Sequence, residues 1–150
     1  MQYTKRLLIK GGLTLAALMS LPGSLLAAAW PRETFDSTTE QEALRAAFGI
    51  DATTPSDKID LKAPEIAENG AVVPVSISTS LENVESISIL VKNNPRPMAA
   101  HFEIPAGTLP KISSRIKMGE TSEVVAIVKT GNGIYSTAKE VKVTIGGCGG

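Results

Sequence analysis

The chain contains one cysteine, Cys148, and it sits inside the final pentapeptide, Gly146-Gly147-Cys148-Gly149-Gly150. A thiol reacts as its thiolate, and an unperturbed cysteine titrates at about 8.5, so only about 3% is ionised at pH 7. No Lys, Arg or His lies closer in sequence than Lys142, and the carboxylate of Gly150, two residues on, opposes ionisation. Nothing local activates the sulfur, so its reactivity is expected to come from whatever site it enters. The four flanking glycines carry no side chains and accept any backbone conformation. From Ile145 to Cys148 the chain spans at most about 10–11 Å. This is the design of a thin arm that delivers a covalently held group. Two other uses of Cys148 stay open on the residues alone: an intermolecular disulfide, or an incidental thiol on an inert tail.

The remaining reactive side chains make no catalytic constellation. His101 is the single histidine, and its alternation with Phe102 and Ile104 aims it outward or places it at a sheet edge. Glu120 and Glu123 are close in sequence, but acidic residues near a turn are ordinarily solvated. No His/Cys spacing fits a zinc site. G-x-S-x-G, H-E-x-x-H and the P-loop pattern are absent. The chain does not read as an enzyme.

The elements that must position Cys148 follow from hydrophobic period. From about Lys58 onward apolar residues alternate with polar ones. Ile59, Leu61 and Ala63 form one set, and Val73, Val75 and Ile77 a second. Ile87, Ile89 and Val91 follow, then Phe102 and Ile104, then Ile116 and Met118 with Arg115 and Lys117 facing away. Val124 to Val128 is a nearly continuous apolar run, and Val141, Val143 and Ile145 share a face. Glu68-Asn69-Gly70 and Gly131-Asn132-Gly133 are turn signals. Pro74 lacks a backbone donor and predicts an edge strand or a bulge. The pattern predicts seven or eight short strands in an all-β, immunoglobulin-like β-sandwich over 59–145, with 146–150 as an arm leaving its rim.

Ahead of it, residues 30–58 form an N-terminal extension with one short helix over Ser37–Gly49, in which Ser37 and Glu40 have capping-box spacing. Its apolar face, Ala43, Leu44, Ala47 and Phe48, packs either on the sandwich or on a partner. Residues 1–29 read as an export signal: Lys5, Arg6 and Lys10, an apolar stretch broken by Pro22 and Gly23, and Ala27–Ala29 before Trp30. The break argues against a permanent membrane anchor. Thr4–Lys10 lies in the register of a twin-arginine signal, with Lys5 where the first arginine belongs.

The whole chain has 15 basic and 15 acidic side chains. Residues 1–29 hold three bases and no acid, so the mature chain carries 12 against 15. This balance and an aromatic content of 4% exclude a nucleic-acid platform.

Four stretches resemble a known family: Glu68–Ser78, Val91–Pro105, Ser114–Thr130 and Val141–Gly150. They are similar to SoxY, the sulfur-carrier family of the periplasmic thiosulfate-oxidising (Sox) system. The resemblance implies an immunoglobulin-like sandwich paired with a second β-sandwich subunit, SoxZ. It implies a covalent attachment site at Cys148, with Gly146, Gly147, Gly149 and Gly150 as flexible flanks. It also implies visits to a haem enzyme (SoxAX) that couples thiosulfate to the sulfur and to a dimanganese hydrolase (SoxB) that releases sulfate. The remaining sulfur is then oxidised by a sulfane dehydrogenase, or passed elsewhere in organisms lacking that enzyme, and the carrier itself needs no cofactor. The partner face is sought on strands apolar on both sides, around Val72–Ile77 and Val124–Val128.

Overall fold

The computed structural model describes residues 31–144; the predicted export signal, Trp30, Ile145 and the predicted arm 146–150 lie outside the described residues. After two helices, α1 (Arg32–Asp36) and α2 (Glu40–Phe48), the described residues form nine strands: β1 (Thr54–Pro55), β2 (Ile59–Lys62), β3 (Ile66–Ala67), β4 (Val73–Thr79), β5 (Val84–Val91), β6 (Met98–Glu103), β7 (Lys111–Ile116), β8 (Ser122–Thr130) and β9 (Gly133–Val143). None of the described helices is long and apolar enough to cross a membrane.

The strands make the expected sandwich. The larger sheet has the order β1-β9-β8-β5-β6, with β3 also paired to β9, and the smaller has the order β2-β4-β7. Between them lie Val73, Val75 and Ile77 from β4, Ile87, Ile89 and Val91 from β5, and Val124, Ala126 and Val128 from β8. Ile116, Met118 and Val141 close this core. In each strand the buried set is the alternating one, because successive side chains point to opposite faces.

The apolar run of β8 has a second explanation. Val125 and Ile127 face outward, and together with Leu90 and Met98 they meet Ala43 and Leu44 of α2. Phe35, Ala47, Phe48 and Ile50 complete this outer cluster. The helix therefore packs on its own sheet, and Val124–Val128 is buried on both sides. That removes it as a partner face. On β4 the outward residues are Pro74, Ser76 and Ser78, so this strand is apolar on one side only.

Three local expectations change. The N-cap of α2 is Thr39, which accepts from the Glu42 amide while the Glu42 carboxylate reaches back to the amides of Thr38 and Thr39. Ser37 is unavailable because it is buried and donates to the Glu33 carbonyl, closing α1. At the other end Gly49, with φ of 69°, takes the left-handed cap as expected. Secondly, β4 is the central strand of its sheet, but β2 pairs with it only over Ser76–Thr79. Pro74 lies beyond that pairing, opposite Arg115 of β7, so β4 has an edge locally where the donor is missing. Thirdly, β9 begins at Gly133 and its described pairing ends at Val143.

Lys92 joins the larger sheet to α2 through two carboxylates. Lys92 Nζ meets Glu123 at 2.8 Å and Glu40 of α2 at 3.6 Å. Its pKa is raised, first by the Glu123 hydrogen bond, against desolvation. A raised ammonium pKa gives stabilisation that is complete at neutral pH and is lost as pH climbs through the raised value. Because Lys92 is 37% exposed, solvent screening keeps that contribution small.

Candidate functional site

The sandwich ends where the arm begins, and that junction is held on both sides. Past the last β8 pairing, Ser122 with Val141, β9 continues alone on that flank. There the Thr121 hydroxyl accepts from the Val143 amide at 3.0 Å. On the other flank β3 runs parallel to β9, Ile66 opposite Lys142 and Ala67 opposite Val143. The amides of Lys142 and Thr144 donate to the carbonyls of Glu65 and Ala67 at 2.9 and 3.1 Å. The Thr144 hydroxyl reaches the Glu68 carbonyl at 3.4 Å.

Thr121 is itself fixed from behind. The β5–β6 turn, Lys92–Pro97, carries two asparagines that lace it to the segment 117–122. Asn93 donates from its side chain to the Thr121 carbonyl at 2.9 Å and from its backbone to Ser122 Oγ at 3.0 Å. Asn94 donates to the Lys117 carbonyl at 2.7 Å and accepts from the Gly119 amide at 3.1 Å. The Met118 amide donates to the Gly70 carbonyl at 2.7 Å, joining this segment to the turn before β4. The end of β9 is thus held by hydrogen bonds from both flanks, and the Thr121 flank is itself laced to the β5–β6 turn and to the turn before β4. In the sequence Asn93 and Asn94 simply follow the alternating set that ends at Val91. Thr121→Val removes the acceptor for the Val143 amide and is expected to cost about 1 kcal/mol locally. The check is hydrogen exchange of that amide, which should quicken several-fold while core amides keep their protection.

Cys148 and Gly146, Gly147, Gly149 and Gly150 lie outside the described residues, so the structure places the root of the arm and not its thiol. Of the other candidates, Glu120 and Glu123 flank Thr121, whose hydroxyl receives the Val143 amide. Glu123 is engaged by Lys92, and no contact joins it to Glu120 among the described residues. His101 is on β6, the edge strand of the larger sheet, as its alternation suggests.

His101 does have partners that sequence reading missed. Its Nδ1 is 2.7 Å from Ser88 Oγ, its Nε2 is 3.0 Å from Glu103 Oε1, and its ring lies 6.1 Å from that of Phe48. A Ser-His-carboxylate row suggests acyl-transfer chemistry, but Ser88 is 0% exposed and cannot meet a substrate. The row ties β5 to β6 beneath α2. The spacing of His101 and Glu103, two apart on one strand face, was the available signal.

A cavity of about 660 Å³ is lined by Leu81, Val84, Ile104, Pro105 and Thr108. It lies at the end of the sandwich where β9 starts, since Asn83 in its wall accepts from the Gly131 amide. The 11 residues of β9 put about 33 Å between that end and the root of the arm. Four residues from Thr144 to Cys148 reach at most about 14 Å. The cavity cannot serve this chain's own thiol. Among the described residues no group of His, Cys, Asp and Glu could hold a metal ion.

Comparison with known proteins agrees with this frame. The family model for the sulfur oxidation protein SoxY matches residues 44–148, from α2 to the cysteine of the arm. Among solved structures, the sulfur carrier protein SoxY from Chlorobium limicola f thiosulfatophilum is 42% identical, with a TM-score of 0.61 over 69% of this chain and 94% of that one. A superoxide reductase (neelaredoxin) from Ignicoccus hospitalis shares the fold at 19% identity, with a TM-score of 0.51 over 70% of this chain and 92% of that one. No curated protein sequence matches the chain.

Proposed function

Since the chain belongs to the SoxY family of sulfur oxidation proteins, we propose that it is a sulfur carrier whose working group is the thiol of Cys148. The observation that supports this most is the family match running to Cys148. The thiol is the chain's one sulfur able to form a sulfur–sulfur bond, and it stands beyond a root fixed from both sides.

The chemistry balances without any group resident on this chain. In loading, the Cys148 thiol and thiosulfate join through their sulfurs, giving the S-thiosulfonate, Cys–S–S–SO3⁻. One proton and two electrons leave, the electrons passing to a haem-containing enzyme of the SoxAX type. In release, water attacks the sulfonate sulfur at a SoxB-type dimanganese hydrolase. The S–S bond to that sulfur breaks, sulfate and a proton depart, and a persulfide stays on Cys148. Where a sulfane dehydrogenase acts, it oxidises the outer sulfur of Cys–S–SH to the sulfonate, Cys–S–SO3⁻: three waters supply the oxygens, seven protons are released and six electrons leave through that enzyme. The chain contributes a thin tether and a rigid base, and the haem and manganese belong to its partners. It acts in the periplasm, exported by residues 1–29, as a heterodimer with a SoxZ-like sandwich subunit.

The test is the intact mass of the protein from thiosulfate-grown cells, followed by mapping of the last peptide. Sulfur-containing adducts on Cys148 are expected. A population made only of free thiol and symmetric disulfide dimer would instead support a structural role for Cys148 and sink the carrier reading.

A further inference from the structure

The smaller sheet ends in β7, an edge strand that pairs with β4 on one side and with no strand on the other among the described residues. Its exposed positions are Lys111, Ser113 and Arg115, alternating with the less exposed Ile112, Ser114 and Ile116. Lys117 continues the exposed row between the buried Ile116 and Met118. The row of cations is about 20 Å long at the rise of a strand. None of the three makes an ion pair among the described residues, whereas Arg45, Lys62, Lys92, Arg96 and Lys129 each meet a carboxylate. The next row in is made of hydroxyls: Ser113 Oγ is 3.0 Å from Ser76 Oγ, and Ser78 stands opposite Lys111. The one acid that the strands put on this face is Asp60 of β2, two strands away and 3.4 Å from Lys62.

An edge strand needs some charge to keep stray chains from pairing with it. The opposite edge of the same sheet, β2, meets that need with one charge of each sign, Asp60 and Lys62. The β7 edge has cations alone, on a chain whose residues 30–150 hold 12 bases against 15 acids. Like charges at alternate positions of a strand repel one another, and no acid among the described residues answers them. An edge guarded by one sign rejects basic strands and admits acidic ones. Its open amides and carbonyls supply the ladder, and its cations supply the choice. We propose that β7 is the docking edge for an acidic partner protein. The partner adds an extended segment as a further strand, with carboxylates at alternate positions facing Lys111, Arg115 and Lys117. A lipid surface would use the charge and leave the open backbone idle, whereas a strand uses both. Because β7 belongs to the smaller sheet and β9, which leads to Cys148, to the larger, a partner held here leaves the thiol free to react.

The test titrates the isotopically labelled mature chain with a synthetic peptide of alternating glutamate and threonine and follows the backbone amides by NMR. Shifts are expected to concentrate on Lys111–Ile116, with binding about ten-fold weaker when the salt is raised from 0.1 to about 0.5 M. The paired substitution Lys111→Gln, Arg115→Gln keeps the side-chain stems and should weaken binding about ten-fold, with the melting temperature unchanged. Alkylation of Cys148 by N-ethylmaleimide should proceed equally with and without the peptide. Two controls need no variant. A lysine–threonine peptide should not bind, and the glutamate peptide N-methylated at alternate residues, which keeps its charge and cannot pair, should lose binding. Absence of binding, shifts centred away from β7, or equal binding of the lysine peptide overturns the docking edge. So does equal binding of the N-methylated peptide, which would leave only a diffuse attraction. Vesicles of phosphatidylglycerol that shift β7 where the glutamate peptide does not would overturn it in favour of a lipid surface.

Discussion

Replacing Cys148 with serine is expected to reduce thiosulfate-dependent electron delivery to background and to leave the melting temperature unchanged. The hydroxyl has nearly the shape of the thiol but cannot form the sulfur–sulfur bond on which loading depends. No other cysteine in the chain can substitute, because Cys148 is the one present. Flanked on both sides by glycine, the side chain has no sequence neighbour to pack against, so stability should not register its loss. Two measurements separate the competing uses of the thiol. If Cys148 only staples two copies together, the serine variant loses a dimer on a non-reducing gel and still supports thiosulfate oxidation. If it carries sulfur, oxidation disappears and the mass of the last peptide no longer shifts with thiosulfate. Alanine should behave as serine does, which excludes a role for the hydroxyl's hydrogen bonding.

The legibility of this protein was uneven, for physical reasons. Cys148 needed only composition, since a single thiol among glycines is conspicuous at any level of structure. The sandwich needed only alternation, and Val73, Val75, Ile77, Ile87, Ile89 and Val91 all point where a period of two sends them. The run Val124–Val128 was ambiguous because a strand buried on both sides looks the same whether its second cover is a helix or another protein. Only packing shows that the cover is α2. The root of the arm was hidden for a different reason. β1 and β3 are two residues each, too short for any period, and both owe their existence to parallel pairing with β9. Ile66 carried no signal for the same cause, although more than half of it faces solvent. Asn93, Asn94 and Thr121 gave no signal either, because side-chain bonds between segments 23 to 29 residues apart leave no local pattern. The capping box was found in type and missed by two residues, since Ser37 and Thr39 both have an acid three positions on.

The outer cluster yields the largest expected effect on stability. Leu44 is 3% exposed and Ile127 is 1% exposed, and they belong to the same packed group between α2 and β8. Truncating either to alanine deletes buried carbons and leaves a cavity that neighbouring strands, fixed by their ladders, cannot fill. Each substitution is expected to cost about 2–4 kcal/mol in urea unfolding, a large share of the roughly 5–15 kcal/mol typical of a domain. The pair should cost less than the sum by about 0.5 kcal/mol or more, because the second truncation enlarges a void that the first has already opened. Ile127 should cost more than Leu44, since β8 sits between β9 and β5 and its distortion reaches both. The measurement also decides what α2 is for. A helix face kept for a partner would let Leu44→Ala unfold within about 0.5 kcal/mol of wild type and would weaken binding instead. A face that belongs to the fold must register in the isolated chain, as the burial of Ala43 and Leu44 against Val125 and Ile127 requires.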